Sequence, residues 1–229
     1  MDIDNPLNVR QHPGIDSLDV TRVTTVYVIP HTEATHHVED RVGGWFDSKL
    51  TEKGREQANA TASAVARIVA GTPTIYSSDL VRARQTAQPI AEIFDSQVIV
   101  CPDLREIGCG VAEGKTQAWL DERIVYPPQD QSRLDHLIIE GAETRRTAAT
   151  RIRRFVDQLI ETAPIEAVVV THGFATTFVL AAWIGIPVEA TAFVGFDVSP
   201  GGITTLEFDE QWGNRLIANL DDTAHLSGA

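Results

Sequence analysis

Apolar and polar positions follow two rhythms along this chain, one typical of strands and one typical of helices. Short apolar runs predict strands over residues 23–30, 74–77, 97–101, 167–171, 192–198 and 202–208. Four helices are predicted between them, from apolar residues that recur every three or four positions. The first follows Thr51 as its N-cap, the second bends at Pro89, the third precedes Pro164, and the fourth ends at Gly185. This alternation predicts an α/β fold, a three-layer α/β/α sandwich around a mostly parallel sheet.

Two segments depart from this alternation. Residues 1–22 contain Asp, Asn, Pro and Gly without an apolar run, and we interpret them as an N-terminal arm whose order depends on docking elsewhere. Residues 113–143 include the turn-prone run Tyr126-Pro127-Pro128 and suit a small cap over the sheet, where substrate selectivity usually resides. We therefore expect a single domain over residues 23–229, with the cap as part of it.

The composition and net charge of the chain disfavour some classes of binding partner. Of the 229 residues, 43% are hydrophobic, and the net charge of −13 disfavours nucleic acid and anionic membranes as partners. No run approaches the roughly 18 apolar residues that span a bilayer. The two cysteines are too few for a disulfide framework and lack metal-ligand spacing. We expect a soluble, cytoplasmic protein that acts on a small molecule, with a homodimer as the default oligomer.

Residues capable of chemistry follow several of the predicted strands. His31 and His172 each end an apolar run, Arg82 lies in the first turn of a helix, and Glu106 follows a further strand. The carboxyl ends of strands and the N-termini of helices are where α/β sheets bind anions. A neutral imidazole can attack phosphorus, a guanidinium can stabilise the transferring group, and a carboxylic acid can protonate the leaving oxygen. These residues together point to phosphoryl transfer without a metal or cofactor.

The motifs around these residues resemble the histidine phosphatase superfamily, also called the phosphoglycerate mutase-like family. The matching segments are residues 47–58, 77–87, 104–106, 113–114 and 171–173, in the family's order. The resemblance implies that His31 becomes phosphorylated, that Arg82 and His172 bind the phosphate, and that Glu106 donates the proton. It also places Gly173 and Phe174 where the family uses backbone amides near the phosphate.

The chain departs from the family at its signature. The family reads Arg-His-Gly where this chain reads Pro30-His31-Thr32, so the first phosphate-binding arginine is absent and Thr32 replaces a glycine. His37 occupies the position of an asparagine that helps to hold phosphate, next to His36. The loss of one arginine removes a charge-assisted contact of roughly 1.5–3 kcal/mol. Either a protonated imidazole compensates in part, or the site serves acid/base chemistry on another substrate.

For three groups of residues the sequence allows more than one role. Trp45 either stacks on an organic group of the substrate or packs against the helix that starts after Thr51. Glu113 competes with Glu106 for the role of acid. His36 and His37 with Asp40 form an incomplete ligand set, so we expect no metal.

Three functions remain open from the sequence. The first is a metal-independent phosphatase that hydrolyses a small organic phosphomonoester through a phosphohistidine. The second is a repurposed family member that has lost phosphoryl transfer and performs acid/base chemistry or binding on a specialised-pathway small molecule. The third is a phosphomutase, suggested by the run Gly43-Gly44-Trp45.

Overall fold

A computed structural model describes residues 23–129 and 131–227 of the chain. Its strands are β1 (Val23–Pro30), β2 (Thr74–Ser77), β3 (Val98–Val100), β4 (Glu166–Thr171), β5 (Ile203–Asp209) and β6 (Asn214–Asp222). Its α-helices are α1 (Thr35–Val38), α2 (Glu52–Ile68), α3 (Val81–Ile93), α4 (Gln117–Asp121), α5 (Arg145–Thr162) and α6 (Gly173–Trp183). The predicted arm, residues 1–22, lies outside the described residues, and the division into arm, domain and cap stays a prediction.

The six strands form one sheet in the order β3-β2-β4-β1-β5-β6. The β1–β4, β2–β4 and β2–β3 pairs are parallel, whereas β5 and β6 add an antiparallel edge. Parallel neighbours end at the same edge of the sheet, so the carboxyl ends of β1, β2 and β4 lie side by side. The predicted mostly parallel sheet is therefore confirmed.

Strand β1 shows why the fold has three layers. Val26 and Val28 belong to an apolar cluster with residues of α5 and α6. Tyr27 and Ile29, which point to the other face, belong to a cluster with residues of α2 and α3. Since successive side chains of a strand face opposite sides, an apolar run buried on both faces requires a helical layer on each. The predicted three-layer arrangement is confirmed.

The N-cap predicted at the start of α2 is present in the structure. The Thr51 side chain accepts a hydrogen bond from Gly54 N at 2.9 Å, so Thr51 is the N-cap. Pro89 lies inside α3, which runs on to Ile93. The remaining backbone bonds and the buried face of α3 hold the helix together around the proline.

Two assignments near the C-terminal half were wrong. Residues 192–198, predicted as a strand, instead begin in a 3-10 helix (Val188–Phe193) and continue without regular structure. Strand β6 was missed, because it is a mostly exposed edge strand in which no residue is fully buried. Burial on a sheet face is what makes a strand recognisable in sequence, and β6 lacks much of it.

The segment 113–143 contains α4 and otherwise irregular structure. It is attached to the loop after α1, since Val42 N donates to Lys115 O at 2.9 Å and Gly114 N donates to Val42 O at 2.9 Å. Among the helices that the structure describes, none has the length and apolar character to cross a bilayer.

Candidate active site

The two strand-end histidines lie in contact. Strands β1 and β4 pair in parallel with Pro30 opposite Thr171, so the next residue of each strand is a histidine at the same sheet edge. His31 N donates to Thr171 O at 2.9 Å, and the ring centroids of His31 and His172 are 5.1 Å apart. The convergence expected from the sequence is therefore present in the structure.

The partners of His31 define its protonation state. Nδ1 lies 2.8 Å from Thr32 O, which can only accept, so Nδ1 carries the hydrogen. Nε2 lies 3.0 Å from Arg82 Nε, which can only donate, so Nε2 presents its lone pair. Burial lowers the pKa of His31 well below its ordinary value, and the charge of Arg82 lowers it further. His31 is thus a neutral imidazole with Nε2 as its nucleophilic atom.

Arg82 projects from the first turn of α3 into the interior, where it is 1% exposed. Besides His31 it binds two carbonyls, with Nη1 donating to Phe46 O and Nη2 donating to Gly44 O, both at 2.7 Å. Arg84, two positions further along the helix, is exposed. The guanidinium therefore clamps the loop of residues 43–48 over His31, and an anion that binds Arg82 has to compete with these carbonyls.

Gly44 is required at its position in this loop. Its φ of +51° lies in the left-handed region, and a Cβ atom there would come within 2.9 Å of Cys109. The backbone turn at Gly44 aims its carbonyl at Arg82, so the glycine and the arginine form one arrangement.

His172 has one polar atom without a partner. Its Nε2 lies 2.9 Å from Ser78 Oγ, while Nδ1 is buried and has no hydrogen-bond partner among the described residues. Burial lowers the pKa of His172 well below its ordinary value, with a further contribution from the charge of Arg82. An unpaired buried polar atom costs roughly 1–3 kcal/mol, so Nδ1 is suited to meet a ligand beside His31.

Glu106 lies at the N-terminus of α6. Its Oε1 accepts from Ile107 N at 2.8 Å and Ala175 N at 3.0 Å, and its Oε2 accepts from Phe174 N at 3.0 Å. Burial raises the pKa of Glu106 above its ordinary value, although these amides and the charge of Arg82 act in the opposite direction. The competing acid, Glu113, accepts from Cys109 N at 3.1 Å.

His36 and His37 both lie against the His31 ring. His37 is exposed and stacks on His31, with centroids 5.3 Å apart and an interplanar angle of 14°. Its Nδ1 accepts from Ala34 N at 3.3 Å, which leaves the hydrogen on Nε2 when the ring is neutral. His36 is buried and its Nδ1 lies 2.7 Å from Ser48 Oγ. Burial lowers the pKa of His36 to about 3 and also lowers that of His37.

These three imidazoles are also the residues that could hold a metal ion. His31, His36 and His37 each offer a ligand atom, and these atoms lie within 4.8 Å of one another. Imidazole suits zinc and other transition metals. The Arg82 guanidinium, however, donates to His31 Nε2 and its positive charge opposes a cation there. The donor set thus fits a metal in number but not in charge, and the expectation of no metal stays a prediction.

Thr32, which replaces the glycine of the signature, and Trp45 both have partners within the protein, and a contact of either residue with substrate stays a prediction. Thr32 is fully buried, its hydroxyl donates to Gly54 O at 2.7 Å, and its amide donates to Thr86 Oγ1 at 3.2 Å. Trp45 Nε1 donates to Glu106 O at 2.8 Å, and the Arg105 guanidinium lies 4.8 Å from its ring centroid. The recorded contacts of Trp45 are with the segment around Glu106.

The two residues after His172 open helix α6. A Cβ atom at Gly173 would meet nothing within 4 Å, so the backbone is open on that side. The Phe174 amide, expected near the phosphate, is bound to Glu106, and the Phe174 ring is partly exposed.

Sequence reasoning missed the groups that position these side chains. Ser78 follows β2 and holds His172, Ser48 holds His36, and the carbonyls of Gly44 and Phe46 hold Arg82. Ser78 lies in a segment singled out for its family resemblance, which was the one available signal. Backbone carbonyls carry no residue-specific signal in a sequence.

Comparisons with known proteins bear on the family and the fold of this chain. A model of the histidine phosphatase superfamily (branch 1) matches residues 26–219. A Yersinia pestis (strain Pestoides F) protein named "Probable phosphoglycerate mutase GpmB" is 29% identical over 206 residues, covering 88% of this chain and 94% of its own length. The likeness therefore extends over nearly the whole described chain.

Solved structures show the same fold. The mycobacterial glucosyl-3-phosphoglycerate phosphatase is 26% identical with a TM-score of 0.73, covering 88% of this chain and 100% of that chain. It was also solved in complex with VO3. The alpha-ribazole phosphatase of Shigella flexneri, at 21% identity and a TM-score of 0.72, covers 87% of this chain and 96% of that chain. At that identity the last likeness concerns the fold alone.

Proposed function

Because the chain belongs to the histidine phosphatase superfamily, we propose that it is a metal-independent phosphomonoester hydrolase that works through a phosphohistidine at His31. The observation that carries the proposal is the neutral His31 imidazole, whose Nε2 lone pair faces Arg82 and whose ring centroid lies 5.1 Å from that of His172, the residue with an unpaired Nδ1 among the described residues. A nucleophile, a cation and a free polar atom around one point are what a phosphoryl group requires.

In the first step His31 Nε2 attacks phosphorus and the bond from phosphorus to the ester oxygen breaks. Protonated Glu106 gives its proton to the departing oxygen, which leaves as an alcohol. Burial favours the protonated carboxyl, since it raises the pKa of Glu106. Arg82 and His172 bind the oxygens of the transferring group, and Arg82 Nε moves from His31 to the phosphoryl group as the lone pair is used.

In the second step water attacks the phosphohistidine. The Glu106 carboxylate accepts a proton from that water, the bond between phosphorus and Nε2 breaks, and inorganic phosphate leaves. His31 returns to its starting tautomer, since the hydrogen on Nδ1 stays bound to Thr32 O throughout. Fixing this hydrogen on a backbone acceptor keeps Nε2 as the reacting atom in both steps.

The lowered pKa of His37 disfavours the protonated imidazole expected to offset the missing arginine, so His37 contributes through its neutral ring. Its ring covers the face of His31, and its neutral form carries a hydrogen on Nε2. That hydrogen can serve the phosphoryl group in place of the amide of the family's asparagine. An imidazole N–H supplies a weaker bond than an arginine fork, so the enzyme is expected to be slower than relatives with the complete signature.

The experiment is a panel of phosphate esters assayed with purified protein and with His31→Ala. We expect release of inorganic phosphate from the native protein, loss of that release in His31→Ala, and reduced release in His37→Ala. Absence of hydrolysis across the panel, or full activity in His31→Ala, would contradict the proposal.

A second candidate, a family member that has lost phosphoryl transfer, is favoured by one observation. The Arg82 guanidinium is already bound to the carbonyls of Gly44 and Phe46, and Pro30 supplies no second cation. The double change Pro30→Arg with Thr32→Gly distinguishes the two. A large gain of phosphatase activity from a silent background supports the second candidate, whereas substantial activity of the native protein rules it out.

A mutase is distinguished from both by its products. The Yersinia relative is named a probable phosphoglycerate mutase, which is the reason to consider this third function. Transfer of the phosphoryl group back to the same substrate, without free phosphate, would identify it.

A further inference from the structure

A cavity of about 450 Å³ opens beside Glu106, under the cap. Its lining is largely apolar and includes Ile107, Ile124, Tyr126, Ile138 and Phe174. Cavities of roughly 300–1,000 Å³ hold small organic ligands, and this one is near the lower limit, enough for one or two rings. Since Glu106 is the proposed proton donor to the leaving oxygen, the cavity lies where the alcohol half of an ester would extend.

Two arginines in the lining give this cavity a positive charge. Arg133 and Arg145 both line it, and neither forms an ion pair with a carboxylate among the described residues. Arg146, the next residue along the chain, binds both Asp135 and Glu189. In a protein whose acidic residues outnumber its basic ones by 32 to 19, two cations left without carboxylates at one cavity are unexpected.

The Arg145 guanidinium is fixed in position by contacts within the protein. Its Nη2 donates to Thr191 O at 2.8 Å and to Val194 O at 2.7 Å, and its guanidinium lies 4.8 Å from the Phe174 ring centroid. Its Nε also donates to Thr191 O at 3.3 Å, so Nη1 is the guanidinium nitrogen without a hydrogen-bond partner among the described residues. Burial lowers the pKa of Arg145 and the positive charge of Arg133 lowers it further, so the two cations lie close enough to repel.

The acidic residues of the cavity do not neutralise this pair. Glu106 accepts three backbone amides. Glu143 accepts from Arg151 Nε and Nη2 at 2.9 and 2.8 Å and from Gly108 N at 2.8 Å. Both side chains therefore have their own partners, and no carboxylate among the described residues pairs with Arg133 or Arg145, which leaves their charge available to a ligand.

We propose that this cavity binds the alcohol half of the substrate, and that this half is an apolar, ring-sized body with a second anionic group that contacts Arg145 and Arg133. The proposal rests on the proposed phosphatase function and names its substrate class. The second group is a carboxylate or a second phosphate, since the Arg133 guanidinium can bind either one with two parallel hydrogen bonds and Arg145 can add a single bond through Nη1. An apolar ester without that group fills the same space and leaves the two cations unpaired.

The first test compares three esters that differ only in this group. The probes are 3-phenylpropyl phosphate, its para-carboxylate derivative and its para-phosphonate derivative, which carries a phosphate-like anion that cannot be hydrolysed. We expect the native enzyme to prefer one of the anionic esters by about 10- to 100-fold in kcat/KM, the ratio that one charge-assisted contact gives. The preferred derivative identifies the second group as carboxylate or phosphate. Equal kcat/KM for all three esters would overturn the proposal.

The second test uses variants of the two arginines. Arg145→Gln and Arg133→Gln should each reduce the ratio of kcat/KM between the anionic and the uncharged ester, and the double variant should bring it close to one. The ratio is insensitive to a general loss of active protein. The Arg133 guanidinium has no hydrogen-bond partner among the described residues, so Arg133→Gln should not disturb folding. It therefore stays informative if Arg145→Gln folds poorly. The matched control is Arg146→Gln, which should keep the native ratio; a ratio unchanged in the double variant would overturn the proposal.

A binding measurement separates this proposal from the phosphatase function. Titration calorimetry with 4-(3-hydroxypropyl)benzoate and with 3-phenylpropanol, both free of the ester phosphate, reports on the cavity alone. Tighter binding of the acid, lost in the arginine double variant, supports the cavity assignment even if no ester is hydrolysed. Hydrolysis of esters with no preference for the acid, in binding or in kcat/KM, leaves the phosphatase standing and refutes the assignment.

Discussion

Replacing Arg82 with alanine should strongly destabilise the protein as well as inactivate it. The guanidinium donates to Gly44 O and Phe46 O at 2.7 Å each and to His31 Nε2 at 3.0 Å. Arg82→Ala leaves Gly44 O and His31 Nε2 without a donor among the described residues, whereas Phe46 O keeps its bond from Ser48 N at 2.9 Å. It also opens a space beneath the loop of residues 43–48. The loop then keeps one attachment to α3, the bond from Val81 N to Asp47 Oδ1 at 2.7 Å, and loses the attachment through Arg82.

The magnitude follows from the buried acceptors. A buried acceptor that loses its only partner costs about 1–3 kcal/mol, and a hydrogen bond from a charged donor contributes about 1.5–3 kcal/mol. Removal of the guanidinium also returns some of the energy spent in burying a charge, which the lowered pKa of Arg82 reflects. We expect a net loss of about 4 kcal/mol in the free energy of unfolding.

Urea unfolding monitored by tryptophan fluorescence and by circular dichroism measures this loss. Arg84→Ala is the matched control, because Arg84 is exposed on the same helix, and it should change stability by no more than about 0.5 kcal/mol. Arg82→Lys should be intermediate, since an ammonium lacks the planar fork that reaches both carbonyls. A loss below about 1 kcal/mol in Arg82→Ala would refute the view that this residue holds the loop.

Three further predictions concern protons and metals. Activity requires neutral His31 and protonated Glu106; burial lowers the first pKa and raises the second, so kcat/KM for an alkyl phosphate should be highest in acid and fall as pH rises through the Glu106 pKa. Glu106→Gln should remove that fall, and a profile that instead rises into alkaline solution would contradict the assignment. The pKa of His36 is about 3 in the folded protein and 6.5 in the unfolded chain, so as pH falls below 6.5 the unfolded chain binds the proton and the folded protein does not. The free energy of unfolding therefore declines with falling pH. From pH 7 to pH 5 this one group should cost about 1–2 kcal/mol in urea unfolding, allowing for its exposed neighbour His37, and His36→Asn should show a correspondingly smaller decline; equal declines would be evidence against a neutral His36. Dialysis against EDTA should leave phosphatase activity unchanged, whereas a loss that Zn²⁺ restores would show that His31, His36 and His37 hold a required metal.

The sheet could be predicted well where burial shapes the sequence. Strands β1 and β4 are apolar on both faces, so their runs stand out and their final histidines could be placed at one edge. Strand β6 lies at the sheet edge with mostly exposed side chains, and its sequence lacks that pattern. Residues 192–198 have the composition of a strand but begin in a 3-10 helix, because local propensity does not determine whether a sheet partner is available.

The site could be predicted as a set of residues but not as a set of contacts. The approach of His31 to His172 follows from parallel strands, and the inward direction of Arg82 follows from helical geometry. The contacts with loop carbonyls, the saturation of Glu106 by α6 amides and the burial of the Thr32 hydroxyl against Gly54 depend on tertiary packing. A side chain's type limits its chemistry, whereas its partners decide how much of that chemistry is free for a ligand.

The most direct measurement is a search for the covalent intermediate. The protein is mixed with a phosphate ester, quenched rapidly in base, where a phosphohistidine survives, and examined by intact mass and peptide mapping. We predict the added mass of one phosphoryl group on the peptide that contains His31, absent in His31→Ala and present in His36→Asn. Turnover of ester with no such adduct, or an adduct on a different residue, would contradict the account.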